Sequence, residues 1–227
     1  MRQVKGIVGR SARRREGPEK LCGTARYVDD YRLPGCLFGA TLRSSIACGR
    51  IRSVRLDPAF PWQEYVVVTA DDIPGANHVA LIENDQPLLA TDRVRHAHEP
   101  ILLVAHPDRA RAYAALAHVR VEYDEEEPLF DPERSTTVFK SFEVERGDGG
   151  QALETADVVV EGVYRLPHQE QAYIETNGAA AWWEPDGTLV TLGALQCPHY
   201  VVKALEAAFA LPEEKVGAWG AGVVTGM

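Results

Sequence analysis

Closely spaced cysteines, long apolar runs and an excess of basic charge are all missing from this chain. Its four cysteines, Cys22, Cys36, Cys48 and Cys197, form no C-x-x-C pair. Zinc and iron–sulfur frameworks need thiolates close together, so neither is supported. No apolar stretch approaches the length that spans a bilayer, and the N-terminus has no apolar leader core. Few cysteines and no leader together imply reduced thiols in a cytoplasmic protein. Lys and Arg number 24 against 33 Asp and Glu, a net charge of −9, which argues against a nucleic-acid-binding surface. Walker and Rossmann glycine loops are absent, as is a Gly-x-Ser-x-Gly elbow. The sequence therefore has no nucleotide-phosphate cradle and no hydrolase nucleophile of those kinds.

What is present is the composition of a globular protein, 45% hydrophobic and 25% charged, with enough chain for one large domain or two modest ones. Residues 1–17 read as a basic arm, Arg13-Arg14-Arg15 being its densest part. A solvated arm and a contact with an acidic partner or nucleic acid both fit that charge. The pattern then predicts strands at 36–42, 51–56, 65–70 (the most buried), 101–105 and 119–123, with a helix over 108–118. Seven acids and no basic residue fall between 122 and 133, with Pro128 and Pro132 among them. Like charges and prolines disfavour compact structure, so a domain boundary is expected here and a linker over 128–145.

A second unit is expected from 146 onward. A short helix at 151–156 precedes strands at 158–164 and 173–176. Asp186-Gly187 predicts a hairpin turn between strands 179–183 and 189–192, with Trp182-Trp183 placed in the core. Residues 198–211 carry the apolar face of a helix. From just after the first strand through the second runs Leu-Pro-His-Gln-Glu-Gln-Ala-Tyr-Ile-Glu-Thr, residues 166–176. Pro167 cannot donate to a sheet and ends the strand before it. His168, Gln169, Glu170 and Gln171 then gather polar groups where a fold places ligand contacts, although an ordinary polar loop has the same composition. His96, His98 and His106 are a second set; a His-x-His pair on a strand would put both rings on one face, but no acid or thiol at a suitable spacing completes a metal site.

His-Gln-Glu-Gln-Ala-Tyr-Ile-Glu, followed by Leu195-Gln196-Cys197-Pro198-His199-Tyr200, resembles the molybdopterin-binding large subunit of the xanthine dehydrogenase and aldehyde oxidase family. Gly23-Thr24-Ala25-Arg26-Tyr27-Val28-Asp29-Asp30, Leu33-Pro34-Gly35, Leu42-Arg43-Ser44, Asp71-Asp72-Ile73-Pro74-Gly75 and Val121-Glu122-Tyr123 resemble that family's α/β hammerhead domain. Gly147-Asp148 with Ala156-Asp157-Val158-Val159-Val160-Glu161-Gly162 resembles the opening of its molybdenum-binding domain. The likeness runs from 18 to about 216, and the order and spacing of the motifs make it specific. It implies an α+β chain with a mixed-sheet hammerhead domain over 18–127 and an incomplete molybdopterin-binding domain over 146–227.

The resemblance further implies water-derived hydroxylation of a purine or an aldehyde, with the cofactor performing the hard step. Gln169 takes the position of the family glutamine that hydrogen-bonds a molybdenum oxygen ligand, and a neutral amide suits that task. Glu170 and Glu175 are structural on this reading. Iron–sulfur and FAD subunits or domains are the implied partners. The chain departs from the family after Val216, where Gly-Ala-Trp-Gly-Ala-Gly-Val-Val-Thr-Gly-Met replaces Arg-Val and a Gly-Gly-Gly-Phe-Gly-Gly-Lys turn. The later cofactor-binding segments and the catalytic glutamate are absent. A truncated subunit, silent on its own, is expected. A non-catalytic hammerhead module that docks iron–sulfur or full-length partners is the alternative.

Overall fold

The computed structural model describes residues 9–79, 83–170, 172–173 and 175–220. A short helix α1, Gly17–Leu21, begins where the expected arm ends. Strand β1, Phe38–Arg43, pairs antiparallel with β5, Pro100–His106, which pairs on its other side with β3, Val66–Val68. A second antiparallel sheet has the order β4, β2, β6, from Arg93–Val94, Gly49–Leu56 and Val119–Glu125.

Strand β5 carries a core cluster on each of its faces. Successive side chains of a strand point to opposite faces, so Ile101 joins Ala90 and Val94 while Leu102 and Val104 join Ala115. Ala115 comes from helix α2, Arg109–Ala115, and a 3₁₀ turn over Leu116–His118 continues it. Asp108 caps α2, its carboxylate accepting the Arg111 N–H at 3.1 Å. The expectation that β3 is the most buried strand fails. It is three residues long and lies at a sheet edge, so Val66 stays 48% exposed.

The acidic run begins inside β6, before any linker. Asp124 pairs with Arg52, Glu122 with Arg55 at 3.2 Å, and Glu126, just past the strand, with Arg93. Solvent screens these exposed pairs, so they add little stability; they give the first acids a place on the sheet. Beyond them, residues 126–148 carry only a 3₁₀ turn, Pro132–Arg134.

Helix α3, Gly149–Glu154, opens the second region. Strands β7, Ala179–Trp183, and β8, Leu189–Gly193, form the expected hairpin, with Gly187 at φ +81° in its turn. Helix α4, Pro198–Phe209, then crosses to β9, Val216–Gly220, which lies parallel to β8. The departure from the family pattern at Gly217 thus falls within a strand that periodicity had not revealed. Two expected strands are not formed. Residues 158–164 have no regular structure and are exposed, Val160 to 88%, because no strand among the described residues supplies their hydrogen bonds. Tyr173, Glu175 and Thr176 also lie outside any strand, while Ile174 is outside the described residues. Trp183 is 55% exposed and meets the Phe209 ring edge-on at 6.0 Å, so it is not a core residue. No helix among the described residues is long and apolar enough to cross a membrane.

Several aspartates brace the turns. The Thr188 hydroxyl and N–H hold the Asp186 carboxyl below its ordinary 3.8, and Arg52 does the same for Asp124. A lowered folded pKa gives stability that is present above the unfolded value and is lost as pH falls through the folded one. Asp186→Asn is therefore expected to unfold at lower urea than the wild type at neutral pH, with the gap closing below about pH 4. A gap that persisted into strong acid would contradict this assignment.

Candidate functional site

Two junctions join the hammerhead region to the segment that carries Gln169 and the helix after it. In the first, the loop after β3 meets the end of α4. The last carbonyls of a helix have no partner within it. Here the Gly75 N–H donates to the Ala208 carbonyl at 2.9 Å and the Ala76 N–H to that of Ala207 at 2.8 Å. A Cβ at position 75 would run into the Ala207 carbonyl oxygen, so the close approach requires glycine. Ala210, left-handed at φ +51°, ends the helix.

In the second junction, Glu175 Oε1 accepts the Val28 N–H at 3.0 Å across 147 residues of sequence. Val28 opens a 3₁₀ turn, Val28–Asp30, that is braced from within. The Tyr27 N–H donates to Asp30 Oδ2 at 2.8 Å, the Arg26 guanidinium donates to the Asp30 carbonyl at 2.8 Å, and that guanidinium lies 4.3 Å from the Tyr31 ring centre. Glu175 Oε2 is sealed from solvent with no hydrogen-bond partner among the described residues. A buried acceptor left so costs on the order of 1–3 kcal/mol. Beside the second junction lies a cleft of about 920 Å³, bounded by residues 27–39, Arg109, Tyr113 and residues 175–180.

Gln169 is exposed, outside regular structure, and does not line the cleft. No strand precedes it to end at Pro167. Glu170 Oε1 accepts the Ala172 N–H at 3.2 Å, and Ala172 is held at φ +54°, a conformation that costs a residue other than glycine roughly 1–2 kcal/mol. Gln171 lies outside the described residues. His168 and His199 are exposed. His96 and His98 follow β4 in a turn, His98 at φ +67°, whereas His106 is buried on β5 and its Nδ1 accepts the Asp108 N–H at 2.8 Å. The three histidines are thus set apart, and no group of three or more His, Cys, Asp or Glu placed to hold a metal occurs among the described residues. The partner of Glu175 and the capping role of Gly75 could not be found from the sequence, since neither has a local signature.

Two family descriptions match most of the chain. Residues 22–127 match the a/b hammerhead domain of aldehyde oxidase and xanthine dehydrogenase, and residues 130–219 match the molybdopterin cofactor-binding domain. A probable xanthine dehydrogenase subunit from Bacillus subtilis (strain 168) is 33% identical over 92% of this chain and 30% of its own length. The nicotinate dehydrogenase large molybdopterin subunit of Eubacterium barkeri is 29% identical over 92% of this chain and 52% of its own length. Among solved structures, quinoline 2-oxidoreductase from Pseudomonas putida 86 superposes with a TM-score of 0.76 at 27% identity, covering 96% of this chain and 30% of that one. The chain thus spans between about a third and half of the length of these relatives.

Gly75→Ala tests the first junction. It is expected to destabilise the chain by about 1–3 kcal/mol, as overpacking does. A urea midpoint equal to that of the wild type would show that the loop and α4 do not meet as described.

Proposed function

This chain belongs to the aldehyde oxidase and xanthine dehydrogenase family, and on that premise we propose that it serves as the N-terminal part of a molybdenum-hydroxylase large subunit. The activity proposed is of xanthine dehydrogenase type, the hydroxylation of a purine or an aldehyde with oxygen from water, in a cytoplasmic assembly with iron–sulfur and FAD subunits. The chain alone is catalytically silent.

One observation carries this reading: the strand-forming run at 158–164 is bare, with Val158, Val160, Val163, Tyr164 and Leu166 all exposed. A β-branched run that finds no hydrogen-bonding neighbour among the described residues is a strand awaiting a sheet. The relatives are long enough to supply one. The same exposed run supports the second reading, a non-catalytic module that docks iron–sulfur or full-length partners.

The residues present fit the molybdenum cofactor only in part. Gln169 has the right chemistry for a contact, because its neutral amide would donate a hydrogen bond to an acceptor of the bound group. Nothing else among the described residues converges on it, so residues beyond this chain would hold the cofactor. When bound, the cofactor supplies the oxygen-transfer chemistry, and the contribution assigned to this chain is the Gln169 side chain. Its exposure leaves the amide free to donate toward a partner surface.

Co-expression with the remaining length of the Bacillus subtilis relative tests the proposal. The two chains should co-purify with molybdenum and turn over substrate, and Gln169→Ala should cut turnover by about 10²–10³-fold, as loss of a positioned donor does. Failure of the chains to associate would overturn the large-subunit reading. Association with molybdenum and undiminished turnover in Gln169→Ala would overturn the Gln169 assignment. Association without molybdenum or turnover would favour the docking module.

A further inference from the structure

We propose that Glu175 is a positioning residue, a latch that sets the segment carrying Gln169 against the hammerhead region. The proposal deepens the reading of Gln169 and rests on it for its functional meaning, although the latch itself is a property of this chain alone.

Three features support it. Glu175 follows Gln169 by six residues, and the chain between them is shaped by a side-chain-capped turn at Glu170 and a left-handed Ala172. The partner of Glu175 is the first N–H of a turn that Arg26 and Asp30 already hold rigid, so the segment is fixed to a stiff point. The contact is also reinforced just beyond Glu175. A Cβ at Gly178 would lie 3.6 Å from Val28 Cγ1, which places the Val28 side chain over that glycine, while the Gly178 carbonyl accepts the Ala194 N–H at 3.0 Å, next to β8. Residues 175–178 are thereby seated between the hammerhead turn and the β7–β8–β9 sheet.

Glutamate suits the task by its reach and its acceptor. Aspartate would fall a methylene short of Val28. Glutamine would keep an oxygen for the same N–H. The charge itself is not required, so Glu175 is distinct from a catalytic base, which glutamine could not replace.

Both sides of the bond can be cut. Glu175→Ala removes the acceptor. Val28→Pro removes the donor with little backbone cost, because proline tolerates the first position of a helical turn and Tyr27 before it is already extended, at φ −101° and ψ 170°. The readouts, on the uniformly ¹⁵N-labelled full chain, are amide exchange at Val28 and backbone order parameters at Gln169, Ala172, Tyr173 and Thr176. In Glu175→Ala the Val28 amide should exchange at least about tenfold faster. In both Glu175→Ala and Val28→Pro the order parameters at Gln169, Ala172, Tyr173 and Thr176 should fall below about 0.6. Glu175→Gln should match the wild type in both readouts.

Order parameters at Ala172, Tyr173 and Thr176 unchanged in Val28→Pro would overturn the latch. So would loosening that spread through β7, β8 and α4, which would mark a general structural role. Should Glu175→Ala not fold, Val28→Pro decides alone, since it leaves the glutamate in place. None of these measurements involves molybdenum or turnover, so a failed latch and a failed Gln169 assignment remain separate results.

Discussion

A backbone amide removed from water must find a partner, and that requirement decides which parts of this chain are folded. Strand β5 meets it on both edges and is buried on both faces. The first core forms around it, with α2 on one side and the β4–β2–β6 sheet on the other. Residues 158–164 have the composition of such a strand and lack its neighbours, so their valines face solvent. Propensity describes what a segment does once a neighbour exists; it does not provide one.

The same requirement explains how the two regions meet. Neither junction is an apolar patch pressed on another. The loop at Gly75 supplies N–H groups to carbonyls that α4 cannot satisfy by itself, and Glu175 supplies an acceptor to an N–H that opens a 3₁₀ turn. Each region completes the hydrogen bonding of the other at an element end. Such contacts are directional, and a small displacement breaks them where a greasy interface would slide.

Most of the first region could be read from its residues. Strands β1, β2, β5 and β6 alternate or run apolar between turn signals, and Asp108 announces α2. The β7–β8 hairpin was legible for the same reason, through Asp186-Gly187. Strand β9 was not, because Gly-Ala-Trp-Gly carries no period and is ordered only by pairing with β8. Trp183 was misplaced because a large apolar side chain on an edge strand keeps one face in water. Of the candidate site, Gln169 was named through resemblance to a family. The Glu175–Val28 bond joins residues 147 apart, a separation that no local pattern encodes.

The α4 cap also bears on the order of synthesis. A ribosome releases Gly75 long before Ala207, and the hammerhead core is built from residues that precede the second region in the chain. Domains fold as units, the N-terminal one first. The loop at Gly75 can therefore stand ready as a finished surface when α4 emerges, and the nascent helix closes its last turn against it. On this view the first region acts as an intramolecular template for the second, and a lesion in the early loop would surface as a defect in a helix made more than a hundred residues later.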